Sequence, residues 1–343
     1  MKQPPRAKPV RSRVRYVTRF APGFSRLGAP GRFRYRTARG RAVRDSRTLA
    51  RIRRLAIPPA WRDVWICGDP AGHLQAAGRD ARGRWQYRYH EDWRAARDRS
   101  KFEHLLDFGR RLPAIRRRVA RDLRGPPLAR ATVLAALVSL LESTLIRVGN
   151  EEYAQANHSY GLTTFRNRHV DVGRTTMRFH FRGKSGRWHE IERRDPRLAA
   201  LLRRLQDLPG QDLFQFVGDD GHIHSITSGD VNDYLRAAAG ADVTAKDFRT
   251  WAGTLSAARL LGSPELARWP KTKRRVADAA AEVARLLGNT PAIARQCYIH
   301  PRVVAAYLDG TLPVAFPAEK ATSRRRIALS PAERALLRLL ASK

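Results

Sequence analysis

Five residues carry groups that can hold an anion, give a proton or attack as a nucleophile. They are Arg147 in "LIRVGNEEYA", Lys184 in "FRGKSGRW", Arg249 in "TAKDFRTWAGT", Asn289 in "LLGNTP" and Tyr298 in "ARQCYIHP". A guanidinium stays charged at any working pH and offers forked donors that match an oxyanion. An amide NH₂ can donate to a phosphate oxygen, an ammonium can act as a general acid, and a phenol can form a covalent intermediate. Taken singly, each also has an ordinary reading. Any one of 58 arginines is a surface charge. A lysine in a tight turn is commonly just solvated. Asn289 after Gly288 suits a helix end followed by Pro291. Tyr298 is then a packed aromatic with a wet hydroxyl. Order and context along the chain must decide.

Charge supplies the first context. The 343 residues include 67 Lys and Arg against 31 Asp and Glu, a formal net charge of +36. Such an excess concentrates phosphate and supplies contacts that release counterions, but it carries no sequence specificity or chemistry of its own. The two cysteines, Cys67 and Cys297, are far apart and lack metal-ligand spacing, so neither a disulfide framework nor a zinc site is expected. The longest apolar run, "VLAALVSLLESTLI", is interrupted by Ser139 and Glu142 and is too short to span a bilayer. The N-terminus has no apolar h-region, so no signal peptide is expected. The expected location is cytoplasmic and nucleoid-associated. "RGKS" resembles the end of a phosphate-binding loop, but Arg178 stands where that loop requires glycine. No acidic cluster suggests a two-metal nuclease, so metal ligands are expected to be none.

The elements that must position these groups follow from pattern. Residues 1–54 hold 18 basic residues and one acid, Asp45. Residues 1–28 read as a flexible basic arm. "RFRYRT" and "RWQYRYH" alternate as half-exposed strands do, with turn signals at Gly68-Asp69-Pro70 and Asp80-Ala81-Arg82-Gly83. Residues 29–97 are therefore expected to form a small β-rich domain. Residues 98–317 read as a larger, mainly helical domain. Within it Val133, Leu134, Leu137, Leu140, Leu141, Leu145 and Val148 fall at helical spacing, with Arg147 at the edge of the stripe. "MRFHFRGKSGRWHEIE" predicts a hairpin turning at residues 183–186. Helices are expected near 228–240, 246–262, 271–288 and 291–309. Residues 318–343 read as a basic tail with a short helix from Ser330-Pro331. The fold class is α+β.

In order and spacing, "IPPAWRDVWIC", "GRDARGRWQYRYH", "RVGNEEYAQANHSYGLTTFRNRHV", "FRGKSGRWHEI", "AKDFRTWAGT" and "LGNTPAIARQCYIHP" resemble the short type IB DNA topoisomerases of the bacterial and poxvirus kind. The likeness runs from about residue 30 to 317. It is specific jointly, although no segment would be so alone. The resemblance implies that Arg147, Lys184, Arg249 and Tyr298 are catalytic. The fifth position of the family is often His and is Asn289 here, which removes a possible cationic donor but leaves an NH₂ donor. It also implies that the β domain closes over double-stranded DNA opposite the helical domain as a clamp. Gln86, Tyr87, Tyr89, Asn150, Tyr153 and Lys246 match DNA-facing positions, the last three near the catalytic groups. Arg147, Asn150 and Tyr153 are expected on neighbouring parts of one helical face.

The implied chemistry suits these residue types. Cutting and resealing a strand without ATP requires the phosphodiester energy to be stored, and a phosphotyrosyl ester stores it. Two guanidiniums match the charge on the non-bridging oxygens, and Asn289 adds a third donor, each typically worth ~3–4 kcal/mol. Lys184 is the expected acid for the sugar 5′-oxygen. The implied activity is ATP-independent relaxation of supercoils by a monomer with no cofactor, no nucleotide and no membrane partner. Two rivals remain. A tyrosine recombinase shares the chemistry, but such enzymes usually carry His three residues before the second Arg, where Lys246 stands here, and an all-helical N-terminal domain. A non-enzymatic nucleoid-binding protein needs only the charge.

Overall fold

The computed structural model describes residues 14–19, 21–81, 83–264, 270–312 and 327–342. Two compact units divide between Lys101 and Phe102. Residues 1–13 of the expected arm and 318–326 of the expected tail lie outside the described residues.

In the first unit, β1 (Gly23–Leu27), β2 (Arg34–Thr37), β3 (Arg62–Cys67), β4 (Leu74–Arg79) and β5 (Trp85–Tyr89) form an antiparallel sheet in the order β2-β1-β3-β4-β5. Helix α1 (Ser46–Arg54) joins β2 to β3, and its Ile52 packs with Val64, Ile66 and Ala76 as the core of this unit. Leu49, Ile52 and Leu55 fall three residues apart among arginines, so α1 has one apolar stripe that went unread in the sequence. It is also held at its ends: Asp45 accepts from the Thr48 amide at 2.8 Å, and Arg51, Arg53 and Arg54 complement the negative C-terminal end. The expected arm extends too far in sequence. Residues 23–27 are strand β1, and Arg15 pairs with the main chain of Ala71 and His73. Tyr16 stacks on the His73 ring at 4.3 Å. The stacked aromatic and the two main-chain hydrogen bonds to residues 71–73 therefore hold this basic stretch.

The second unit is mainly helical. Helix α2 (Glu91–Asp122) leads into α3 (Arg130–Thr144), whose residues from Thr132 to Leu141 are all buried. A helix that is apolar all round belongs at the centre of a core. Helix α4 (Glu151–Asn157) precedes a three-stranded antiparallel sheet, β6 (Val170–Val172), β7 (Thr176–Arg182) and β8 (Trp188–Arg194). In β7 the side chains of Met177, Phe179 and Phe181 point inward, and Phe179 pairs with Ile191 across the hairpin. Then come α5 (Pro196–Gln206), the short pair β9 (Gln215–Val217) and β10 (Ile223–Ser225), α6 (Ser228–Ala239), α7 (Ala245–Leu261), α8 (Lys273–Leu287), α9 (Pro291–Tyr298), α10 (Pro301–Leu308) and α11 (Pro331–Ala341). The helix expected over 291–309 is two helices. Pro301 has no N–H to continue the first, and His300 caps the second by accepting from the Arg302 amide at 3.0 Å. Helix α11 is fastened by Glu333, which accepts from Arg116 at 2.7 Å and closes a capping box with Ser330.

Helix α3 also stops earlier than the apolar stripe predicts. Leu145 adopts a left-handed conformation, with φ 57°. Residues beyond it leave the helix to pair with the 161–163 segment. Leu162 donates to the Arg147 carbonyl at 2.9 Å, and Thr163 donates to that of Val148 at 2.7 Å. Gly161 lies so close that an added Cβ would sit 2.5 Å from the Arg147 carbonyl oxygen. Arg147 and Asn150 therefore occupy an irregular segment between α3 and α4, and the expected common helical face does not exist.

Candidate active site

Arg249 lies one turn into α7 and is 5% exposed. Its guanidinium donates to the carbonyl of Leu145, where α3 ends, and to that of Leu287, the last residue of α8, at 2.6 Å. Both are helix C-terminal carbonyls, which carry partial negative charge and lack partners within their own helix. Its Nε is buried with no hydrogen-bond partner among the described residues. Burial, and then the nearby charge of Arg147, bring Arg249 down to about 10.

Arg147 reaches the same place from the segment after α3. It donates to Asn289 Oδ1 at 2.6 Å. Burial lowers it first, Arg187 lowers it further, and Tyr298 acts in the opposite sense. Among the described residues no carboxylate pairs with Arg147 or Arg249. Two guanidiniums that repel each other, Arg249 buried and Arg147 half-buried, favour an anion between them, because burial weakens solvent screening.

Asn289 is placed by the end of α8. Gly288 takes the left-handed conformation at φ 61°, and the Asn289 amide donates back to the Ala284 carbonyl at 2.9 Å. This is the glycine-ended cap that lets a chain leave a helix sharply. Because Oδ1 accepts from Arg147, Nδ2 is left as the donor. It is buried and has no partner among the described residues.

Tyr298 ends α9. Its ring centroid is 5.5 Å from the Arg249 guanidinium carbon, and its phenol acts electrostatically on both site arginines. Helix α7 sets this approach twice. Gly253 leaves room for the Tyr298 backbone, and Thr254 donates to the Tyr298 carbonyl at 3.0 Å. Four of the five expected groups thus converge from α7, the α3–α4 segment, the α8 cap and α9.

Lys184 is exposed on a tight turn between β7 and β8. Ser185 and Gly186 both have positive φ there. The turn is tied to the site by Arg187, which donates to the Asn289 carbonyl at 3.4 Å. Two residues of this hairpin went unread in the sequence: Arg187 and His189. Burial, then Arg147, Arg249 and Arg187, hold the His189 imidazole below its ordinary value, so it lies among these guanidiniums. Strand alternation put both on a hairpin, but nothing local marks them as neighbours of Asn289.

A family model of the eukaryotic DNA topoisomerase I catalytic core matches residues 90–311, and one of the bacterial DNA topoisomerase IB N-terminal domain matches residues 32–80. The DNA topoisomerase 1B of Acanthamoeba polyphaga mimivirus is 33% identical over 262 residues, covering 74% of this chain and 78% of the viral protein. This chain belongs to the type IB DNA topoisomerases. DNA topoisomerase 1B of vaccinia virus (strain Copenhagen) is 21% identical and DNA topoisomerase I of monkeypox virus 22%, each match covering 68% of this chain and 72% of the viral protein.

Other expected positions of the topoisomerase are more dispersed. Lys246 is exposed on the first turn of α7, three residues before Arg249. Asn150 is exposed and its carbonyl receives the Ala154 amide at the start of α4. Tyr153 falls on α4, and its side chain lies outside the described residues. Tyr87 and Tyr89 are exposed on one face of β5, with ring centroids 6.2 Å apart. Gln86 alternates to the other face and donates to Asp80 at 3.0 Å. Among the described residues no helix is long and apolar enough to cross a membrane.

Proposed function

We propose that the convergence of Arg147, Arg249, Asn289 and Tyr298 is the strand-cleavage site of this topoisomerase. The observation that carries this reading is a pair of neighbouring guanidiniums, Arg249 buried and Arg147 half-buried, with no carboxylate partner among the described residues and with the Tyr298 ring 5.5 Å from the Arg249 guanidinium carbon. A DNA phosphate placed there meets donors from three elements. The Tyr298 oxygen attacks phosphorus, forming a 3′-phosphotyrosyl ester as the bond from phosphorus to the 5′-oxygen breaks. Lys184 protonates that oxygen, matching the proton that Tyr298 loses. Religation reverses each step, so no energy donor is consumed. Asn289 supplies a donor through Nδ2 while its Oδ1 braces Arg147.

In this reading residues 29–97 form the DNA-clamp domain and residues 98–317 the catalytic domain, closed around a double helix by a monomer. Tyr87 and Tyr89 face the DNA, with Lys246, Asn150 and Tyr153 contacting it near the cleaved phosphate. Gln86 has to release Asp80 to reach a base. Relaxation of supercoiled plasmid in EDTA without nucleotide tests the reading, and both signs of supercoil should relax. An absolute need for Mg²⁺ or ATP would overturn it.

A further inference from the structure

We propose that His189 is a positioning residue that locks the turn bearing Lys184 to the helix end bearing Asn289. The proton donor for the leaving oxygen and a donor for the phosphate are then presented as one rigid unit. The inference rests on the roles given above to Lys184 and Asn289.

Two glycines carry it. A Cβ on Gly183, the residue before Lys184, would lie 2.7 Å from His189 Cδ2 and 2.8 Å from Nε2. A Cβ on Gly288, the residue before Asn289, would lie 2.5 Å from His189 Cε1. The imidazole is thus wedged edge to edge between two backbones far apart in sequence. Gly288 is also required by its positive φ. Gly183 is not: at φ −92° and ψ −165° any residue fits the backbone, so the ring itself accounts for the absent side chain. The ring is fixed in turn by stacking on the buried Phe181, at 5.1 Å and 14°. Among the described residues no hydrogen bond holds it, so it acts through shape. Arg187 ties the same two segments through the Asn289 carbonyl. Burial and the neighbouring guanidiniums disfavour the charged form of the imidazole, which suits a spacer in that place.

The test uses single-turnover formation of the covalent adduct on a suicide duplex, with oxygen or sulfur at the 5′-bridging position. Sulfur leaves without prior protonation, since a thiol ionises near ~8.5. His189→Ala should cleave the oxygen substrate roughly 10²-fold more slowly, the scale of an ångström's misplacement. Sulfur should restore most of the rate, as it should for Lys184→Ala. DNA binding in the Tyr298→Phe background should be unchanged. Gly183→Ala should show the same defect and rescue. The double variant should be no slower than His189→Ala, because the new methyl then meets no ring.

Wild-type cleavage by His189→Ala would overturn the proposal. So would an equal defect on both substrates, or losses from Gly183→Ala and His189→Ala that multiply independently. Lys184→Ala separates the two readings. If sulfur fails to rescue it, Lys184 is not the acid, and the non-additivity of the Gly183 and His189 variants alone decides whether the wedge exists. If His189→Ala melts below the assay temperature, Gly183→Ala decides alone: it must be slow on oxygen and rescued on sulfur.

Discussion

Gly253→Ala should slow cleavage while leaving DNA binding intact. On α7 the new Cβ would stand 2.8 Å from the Tyr298 carbonyl oxygen, 3.0 Å from its Cβ and 3.2 Å from Leu287 Cδ1. Ordinary contact needs about 3.5 Å or more. The first two atoms belong to the backbone or are fixed to it, so no rotamer change relieves them. The carbonyl is also pinned by Thr254, whose hydroxyl accepts from the His300 amide at 3.1 Å. The start of the Tyr298 side chain must therefore retreat by roughly half an ångström. An ångström of misplacement costs ~10²-fold in rate, so half of that predicts ~10-fold. Overpacking of ~1–3 kcal/mol is partly offset by the better helix propensity of alanine, ~1 kcal/mol. A small fall in Tm is expected. The assay is single-turnover adduct formation alongside gel-shift affinity, with Gly229→Ala on α6 as control, where the nearest atom is Thr227 Oγ1 at 3.4 Å. Adduct formation at the wild-type rate with a lowered Tm would show that spacing at Gly253 serves packing alone.

Tyr298→Phe should bind DNA normally and give no adduct on a denaturing gel; residual relaxation would place the nucleophile elsewhere. Asn289→Ala should lower cleavage by ~10²–10³-fold and Asn289→His should keep substantial activity, because an imidazole N–H can replace the amide donor; equal rates for wild type and alanine would reduce Asn289 to a helix end. Glu333→Ala should cost ~3 kcal/mol in a urea melt, because Arg116 loses a buried partner while keeping Glu142 at 2.7 Å. Acid should destabilise the fold through its buried imidazoles. Burial, with nearby arginines, holds His169 and His300 at about 4. Because both bind protons less well folded than unfolded, unfolding takes up about two protons between roughly pH 4 and 6.5, and stability falls as pH drops through that window. The slope of stability against pH measures this, and His300→Asn should lower it by about one proton.

The hairpin and the α8 cap were legible because their signals are local. Strand alternation around "RGKSG" fixed the turn of Lys184, and Gly288 ahead of Pro291 fixed the helix end beside Asn289. What stayed hidden depends on distant partners. Leu145 is a good helix former, and only pairing of Arg147 and Val148 with the 161–163 segment turns the chain out of α3. Helix α1 is short, and its apolar stripe of Leu49, Ile52 and Leu55 is set in a run of arginines at the end of the basic stretch 1–54. His189 alternates like any strand residue; Gly183 meets it within the hairpin, but Gly288 meets it only after the hairpin has packed against α8. Gln86, Tyr87 and Tyr89 resemble DNA-facing positions as a group, yet the period of a strand separates the first from the other two.

The two carbonyls under Arg249 give the molecule a safeguard. The guanidinium proposed to face the phosphate is aimed by the finished ends of α3 and α8, at Leu145 and Leu287. Until both helices have stopped where they should, this arginine has nothing to orient it. A half-folded or heat-loosened copy, still carrying most of its positive charge, would cling to the chromosome without an assembled blade. With Arg249 in the role proposed above, cutting requires both helix ends in place, so a loosened molecule should bind DNA without nicking it.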